Sequence, residues 1–261
     1  MAPISDSYFH YHASAHAFSG RFTRPFDEHI DVQAASSLPL IGGHGSARVD
    51  NFKFHEFISF TAGYTHVSGG LQTEDGSNNT LVTSVLEGLN MMDVLTADRL
   101  VCRLYTKHAK GAAEGHVTMH GSKFENLKIC GQAVTMNLDF ALFESVPNFQ
   151  KAQEEYLKKQ DFWKIAKDPL QSGKELPPQK DTGAFLCSLV KGNVQIDSPG
   201  VQVSGHSIYV PGFGRVYFAE VFMSHATRTL TMLRFELGST TGGGGSGGSG
   251  TTNGRQWPPT G

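Results

Sequence analysis

An excess of charge of either sign is missing from this chain. Its 261 residues carry 22 Lys and Arg against 24 Asp and Glu, a formal charge of −2. Without a basic excess nothing draws the chain onto a phosphate backbone, so nucleic acid is not an expected partner. The net charge is also far too small for a disordered polyelectrolyte. Long apolar runs are missing too. None approaches the ~20 residues of a membrane helix, so no helical membrane span is expected. The opening residues, Met1-Ala-Pro-Ile-Ser-Asp-Ser7, have neither a charged n-region nor an apolar h-region, and no secretory signal is expected in them.

Cysteine is scarce. Cys102, Cys130 and Cys187 are odd in number, widely spaced and free of any C-x-x-C pair. That argues against a thiolate zinc site or a redox motif, and three separate buried thiols are expected. Catalytic signatures are missing as well. There is no Gly-x-Ser-x-Gly elbow and no metalloprotease His spacing. Gly42-Gly-His-Gly-Ser46 is followed by neither Lys-Ser/Thr nor a helix, so it reads as a turn and not a phosphate cradle. Glu74-Asp-Gly-Ser-Asn-Asn79 offers oxygen ligands without a spaced terminal acid and reads as a polar hairpin tip. No catalytic residue and no cofactor is assigned, and the chain is not expected to be an enzyme.

What is present is strand. In the opening run Phe9, Tyr11 and Ala13 share one face, and Tyr8, His10 and His12 the other. Phe52 and Phe54, then Ile58, Phe60 and Ala62, keep the same period of two. A six-residue pattern occurs three times: Val49-Asp-Asn-Phe-Lys-Phe54, Leu86-Glu-Gly-Leu-Asn-Met91 and Phe124-Glu-Asn-Leu-Lys-Ile129. Such self-similarity predicts a recurring β unit, with each acid–Asn/Gly pair at a turn or a bulge. One helix is predicted, over 147–168, where Phe149, Ala152, Tyr156, Trp163 and Ala166 form a stripe. It is expected to cover a sheet edge or an open end of the β body.

Nine of the 30 glycines fall in 239–261. Such a stretch has high chain entropy and little to bury, so a flexible tail is predicted. Its end, Trp257, Pro258 and Pro259, pairs an aromatic with a preset polyproline segment and reads as a plug that docks on a neighbouring copy.

Twelve histidines are the most unusual feature of the composition. His10, His12 and His16 fall on one strand face and are the candidate metal ligands, although no acid or cysteine nearby completes a set. His116 and His120 share a face by the same alternation, opposite Val117 and Met119. Glu220 interrupts the apolar run Val216-Tyr-Phe-Ala-Glu-Val-Phe222 and is expected to point outward.

The order Thr83-Ser-Val-Leu-Glu-Gly-Leu-Asn90, Thr96-Ala-Asp-Arg-Leu-Val101 and Gly121-Ser-Lys-Phe-Glu-Asn-Leu-Lys-Ile-Cys-Gly131 resembles bacterial surface domains of the choice-of-anchor, type P family. Val210-Pro-Gly-Phe-Gly-Arg-Val-Tyr-Phe-Ala-Glu220 and Leu230-Thr-Met-Leu-Arg-Phe-Glu-Leu237 resemble their closing strand pair. The resemblance implies an exported, non-enzymatic β domain and carries no catalytic residues.

The expected fold is mainly β, a repetitive β-sandwich, barrel or stacked β structure. Residues 1–238 form one domain with the helical insert, and 239–261 form the Gly-rich tail. The leading functional reading is a non-catalytic structural protein of a bacterial surface or extracellular assembly, a homo-oligomer in which the tail contacts a neighbour. A cytoplasmic location is the alternative to the surface. The second functional reading is a β module that binds an apolar or glycan ligand. The third is a metal-dependent enzyme built on His10, His12 and His16.

Overall fold

The computed structural model describes residues 8–146, 148–156, 184–225, 227–238 and 240–257. They form two antiparallel β-sheets packed face to face. The first sheet is built on β1 (Tyr8–Arg24), β16 (Gly214–Ser224), β17 (Arg228–Leu237) and β18 (Gly242–Trp257). The shorter β2 (Glu28–Gln33) and β3 (Ser36–Ser37) border β1. Beside β16 run β12 (Ala184–Ser188) and β15 (Ser207–Val210), the latter paired with β14 (Gln202–Ser204).

The second sheet has β4 (Gly43–Phe54), β5 (Ile58–Leu71), β6 (Asn78–Met91) and β7 (Leu95–His108) in chain order. Three short strands line the free edge of β7 in series: β8 (His116–Thr118), β9 (Lys123–Glu125) and β10 (Lys128–Ile129). The order continues through β11 (Gln132–Thr135) to β13 (Gln195–Ile196). Residues 72–77 form the tip between β5 and β6, where Lys107 holds Asp75 at 2.6 Å. The polar hairpin tip expected there is what the structure shows.

The Gly-rich segment is not a tail. Residues Gly242–Trp257 are a central strand, paired with β17 on one side and β1 on the other. The reason is space. A β carbon at Gly250 would lie 2.7 Å from Val82 Cγ1 and 3.3 Å from Cys102 Sγ, both on the facing sheet. At Gly245 it would overlap the Ser19 carbonyl and come within 2.7 Å of Phe235 Cζ. Neighbouring side chains thus supply the core that the glycines lack, and ladder hydrogen bonds on both edges fix the backbone. Its outward positions carry Ser246, Ser249 and Thr251. Ser249 and Thr251 meet Thr231 and Thr229 at 3.2 and 2.9 Å.

The threefold pattern marks a crease across the sheets. Asn51, Gly88 and Asn126 all have positive φ (53°, 64° and 48°). Asn51 and Gly88 lie inside strands, at neither a turn nor a bulge, since the ladder register is the same before and after them. At each, the inward face changes parity. In β6, Val82, Ser84 and Leu86 point inward, and then Leu89 and Met91 do. The first sheet switches on the same principle, at Ala219 (φ 49°) and Gly248 (φ 63°). Adjacent inward residues result, such as Phe218 and Ala219 or Met232 and Leu233. A left-handed residue thus re-phases a long strand without slipping its pairing.

Two helices follow β11. α1 (Phe140–Ser145) starts at Asp139, whose carboxylate accepts from Leu142 N. α2 (Phe149–Tyr156) lies inside the predicted helix, with Phe149 and Ala152 buried. The rest of that prediction, 157–168, lies outside the described residues. Cys102 and Cys187 are buried as expected, but Cys130 is exposed. Its φ of 50° places it in the turn between β10 and β11, where strand alternation does not apply.

Candidate ligand-binding site

On the outer face of the second sheet lies an open depression of about 480 Å³, lined by Leu81, Arg103, Tyr105, Thr118, His120 and Gly121. Its floor follows from register. Leu81 on β6 faces Tyr105 on β7, and Tyr105 faces Thr118 on β8, giving one row across three strands. Arg103 sits two residues along β7 from Tyr105, on the same face. One wall is the turn after β8. There His120 Nε2 donates to Glu144 of α1 at 2.7 Å, and its ring tilts against Phe140 with centroids 5.1 Å apart. That tether leaves His120 Nδ1 facing away from Glu144.

Gly121 completes the wall with φ 89°. A β carbon there would come within 3.1 Å of Arg103 Cδ. Gly121→Ala is therefore expected to displace Arg103 and to cost ~1–2 kcal/mol from the left-handed backbone alone. Thermal unfolding measures the second effect, and the Arg103 side-chain NMR signal the first. Among the described residues, Arg103 has no ion-pair partner, unlike Arg21, Arg48, Arg99, Arg228 and Arg234. The site therefore combines an aliphatic and aromatic floor, a hydroxyl, an imidazole and a free guanidinium. It can stack on a ring and bind an anion. Among the described residues, the Thr118 hydroxyl has no hydrogen bond to the His120 imidazole, whose Nε2 is on Glu144.

Two further polar clusters are structural. At one end of the sandwich interior, Arg228 is fully buried. It donates to Glu114 at 2.9 Å and to Asn253 at 3.1 Å. Glu114 also accepts from Phe149 N at 2.8 Å and from His225 Nδ1 at 2.7 Å, so it ties α2 and the turn before β17 to the core. His108 is buried beside them. Burial, and then the neighbouring Arg228, push its pKa down to about 4. The imidazole is neutral in the fold, whereas an unfolded His titrates near ~6.5. Its stabilisation is full above ~6.5 and is lost as pH falls through 4. The loss is on the order of 3 kcal/mol. Denaturant titrations between pH 7 and 4 are expected to show this slope in the parent protein and to lose most of it in His108→Leu.

The second cluster centres on Glu220. It points outward as expected, yet it is only 3% exposed. Arg234 grips it with two bonds, at 2.5 and 2.9 Å, and His206 adds a third at 3.2 Å. Burial alone would raise its pKa; the bonds from Arg234 and His206 outweigh burial and hold it below the usual carboxylate value. Arg234 also lies 3.6 Å over the Tyr217 ring.

His10, His12 and His16 do share the outer face of β1. His16 Nε2 lies 3.2 Å from Ser246 Oγ, and burial lowers its pKa. Among the described residues, no three His, Cys, Asp or Glu side chains are grouped to hold a metal ion. Trp257 ends β18 opposite Tyr8, and Pro258 and Pro259 lie outside the described residues. Of the depression, only His120 stood out in the sequence. Arg103 and Tyr105 went unmarked. Their signal was two large polar-tipped residues at i and i+2, outward on a strand whose other face is Cys102, Leu104 and Thr106.

Comparison with curated proteins and with solved structures gave no match. A protein-family model described as a domain of unknown function (DUF8256) matches residues 9–176 and 163–224. These matches run from the second residue of β1 through the end of β16 and take in every residue of the depression, and the chain belongs to that family.

Proposed function

We propose that this protein is a non-catalytic binding module whose ligand is a glycan. The observation that carries the reading is the row Leu81–Tyr105–Thr118 on the open face of a rigid sheet. Apolar and aromatic surface beside hydroxyl and imidazole groups suits the apolar face and hydroxyl rim of a sugar ring. The floor comes from strands, so it is already formed before a ligand arrives. Binding to the native state alone raises stability by RT ln(1 + [L]/Kd), about 2.7 kcal/mol at a hundredfold excess over Kd. A panel of oligosaccharides is therefore expected to contain members that raise the melting temperature of the parent protein but not of Tyr105→Ala. A panel without effect on the parent protein would remove this reading.

A second reading, a self-associating surface component, has its own observation. Leu40, Ile41, Leu71 and Tyr8 are each at least 62% exposed. Leu40, Ile41 and Leu71 lie at one corner, where Tyr11 N donates to Leu40 O and the Tyr11 hydroxyl to Asn78, the ladder partner of Leu71. A surface location is the one implied by the choice-of-anchor resemblance. Light scattering is expected to show an oligomer that Ile41→Asp dissociates. A monomeric parent protein would end this reading and leave the first untouched.

A further inference from the structure

We infer that the sugar bound in the depression carries a carboxylate, as in a uronic acid residue, and that Arg103 reads it. This rests on the glycan reading above and adds the ligand's charge. Arg103 is the deciding residue. Its guanidinium is exposed at the rim of the depression and has no ion-pair partner among the described residues, whereas the cations around it are spent. Lys107, four residues further along the same face, is held by Asp75 at 2.6 Å. Lys123 is paired with Glu125, and Arg99 with Glu87 at 3.3 Å.

The residues lining the depression include no acid, and the nearby Glu144 lies 2.7 Å from His120 Nε2. The lining of the depression therefore offers an incoming ligand one permanent cation, Arg103, and no acid. A guanidinium matches a carboxylate through two parallel N–H···O bonds, a planar geometry that a sugar carboxylate on a stacked ring can meet. Tyr105 and Leu81 take the ring's apolar face, Arg103 its carboxylate and Thr118 a hydroxyl. Gly121 keeps the wall low enough for the Arg103 stem to lie along it. The depression is open and not closed over, which suits a residue within a longer acidic chain.

The test is calorimetric titration of the full chain with three probes: a galacturonic acid oligomer, a neutral glucose oligomer of the same length, and inorganic sulfate. The variants are Arg103→Gln and Tyr105→Ala. Thermal melts of both are expected to match the parent protein, since each side chain lies on the surface. The galacturonic acid oligomer is expected to bind at least about tenfold more tightly than the neutral oligomer. Arg103→Gln is expected to erase that preference while leaving weak neutral binding, and Tyr105→Ala to remove both. Equal binding of the two oligomers, unchanged in Arg103→Gln, would overturn the carboxylate inference and leave the glycan reading standing. Sulfate binding as tight as the oligomer's would also overturn it, reducing the site to an anion contact. Binding of no oligosaccharide would end both.

Discussion

Gly245→Val is expected to abolish the native fold. The position is the fourth residue of β18, paired with Gly20 on one side and Phe235 on the other. A side chain there meets the Ser19 carbonyl, Gly20 Cα at 2.8 Å and Phe235 Cζ at 2.7 Å. Two of these three obstacles are backbone, so rotamer changes do not relieve them. Overpacking a core usually costs ~1–3 kcal/mol where side chains yield. Here a ladder must part, and the cost is expected to exceed that range and to consume much of a ~5–15 kcal/mol stability. The matched control is Thr251→Val. It keeps the shape on the outer face and loses only the 2.9 Å contact with Thr229. It is expected to cost ~1 kcal/mol or less. Denaturant unfolding of both variants separates a central strand from a dispensable tail, because a tail would tolerate both.

Glu114→Ala carries the second large effect. Arg228 has no exposure at all, and Glu114 is its only anionic partner among the described residues. Removing the carboxylate leaves a guanidinium charge buried and unpaired, which costs ~3–5 kcal/mol. It also removes the acceptor of Phe149 N, so α2 is expected to lose its anchor in the same step. Replacing both partners by apolar groups is less harmful than removing one. Adding Arg228→Met to Glu114→Ala is therefore expected to recover part of the stability. Equal losses in the single and double variants would show that the pair itself is not what the variants probe.

Legibility in the sequence followed the physics of each element. Alternation in Phe9, Tyr11 and Ala13 was readable because β1 has one buried and one open face. The repeat at Asn51, Gly88 and Asn126 was readable too, since positions that need positive φ favour Asn and Gly. What it builds was less plain. A left-handed residue that re-phases a strand looks, in sequence, like a turn. The glycine strand was illegible for a related reason. Burial is normally read from the side chains a segment owns, and β18 is buried by those of Phe18, Val82, Leu86 and Phe235. Its faint trace was Ser246, then Ser249 and Thr251, a polar period of two interrupted at Gly248. The depression was missed because histidines drew attention to β1, while the site lies on β7. There the informative residues, Arg103 and Tyr105, become neighbours of Leu81 and Thr118 only once Tyr105 is paired with residues 24 and 13 positions away.

All of this depends on β18 holding the middle of its sheet. The most direct measurement is native-state hydrogen exchange of the amides in 242–257. With ladders on both edges and the facing sheet above it, β18 is expected to exchange as slowly as β1 and β17, through global unfolding only. Exchange of these amides at unfolded-chain rates, while β1 and β17 stay protected, would contradict the account.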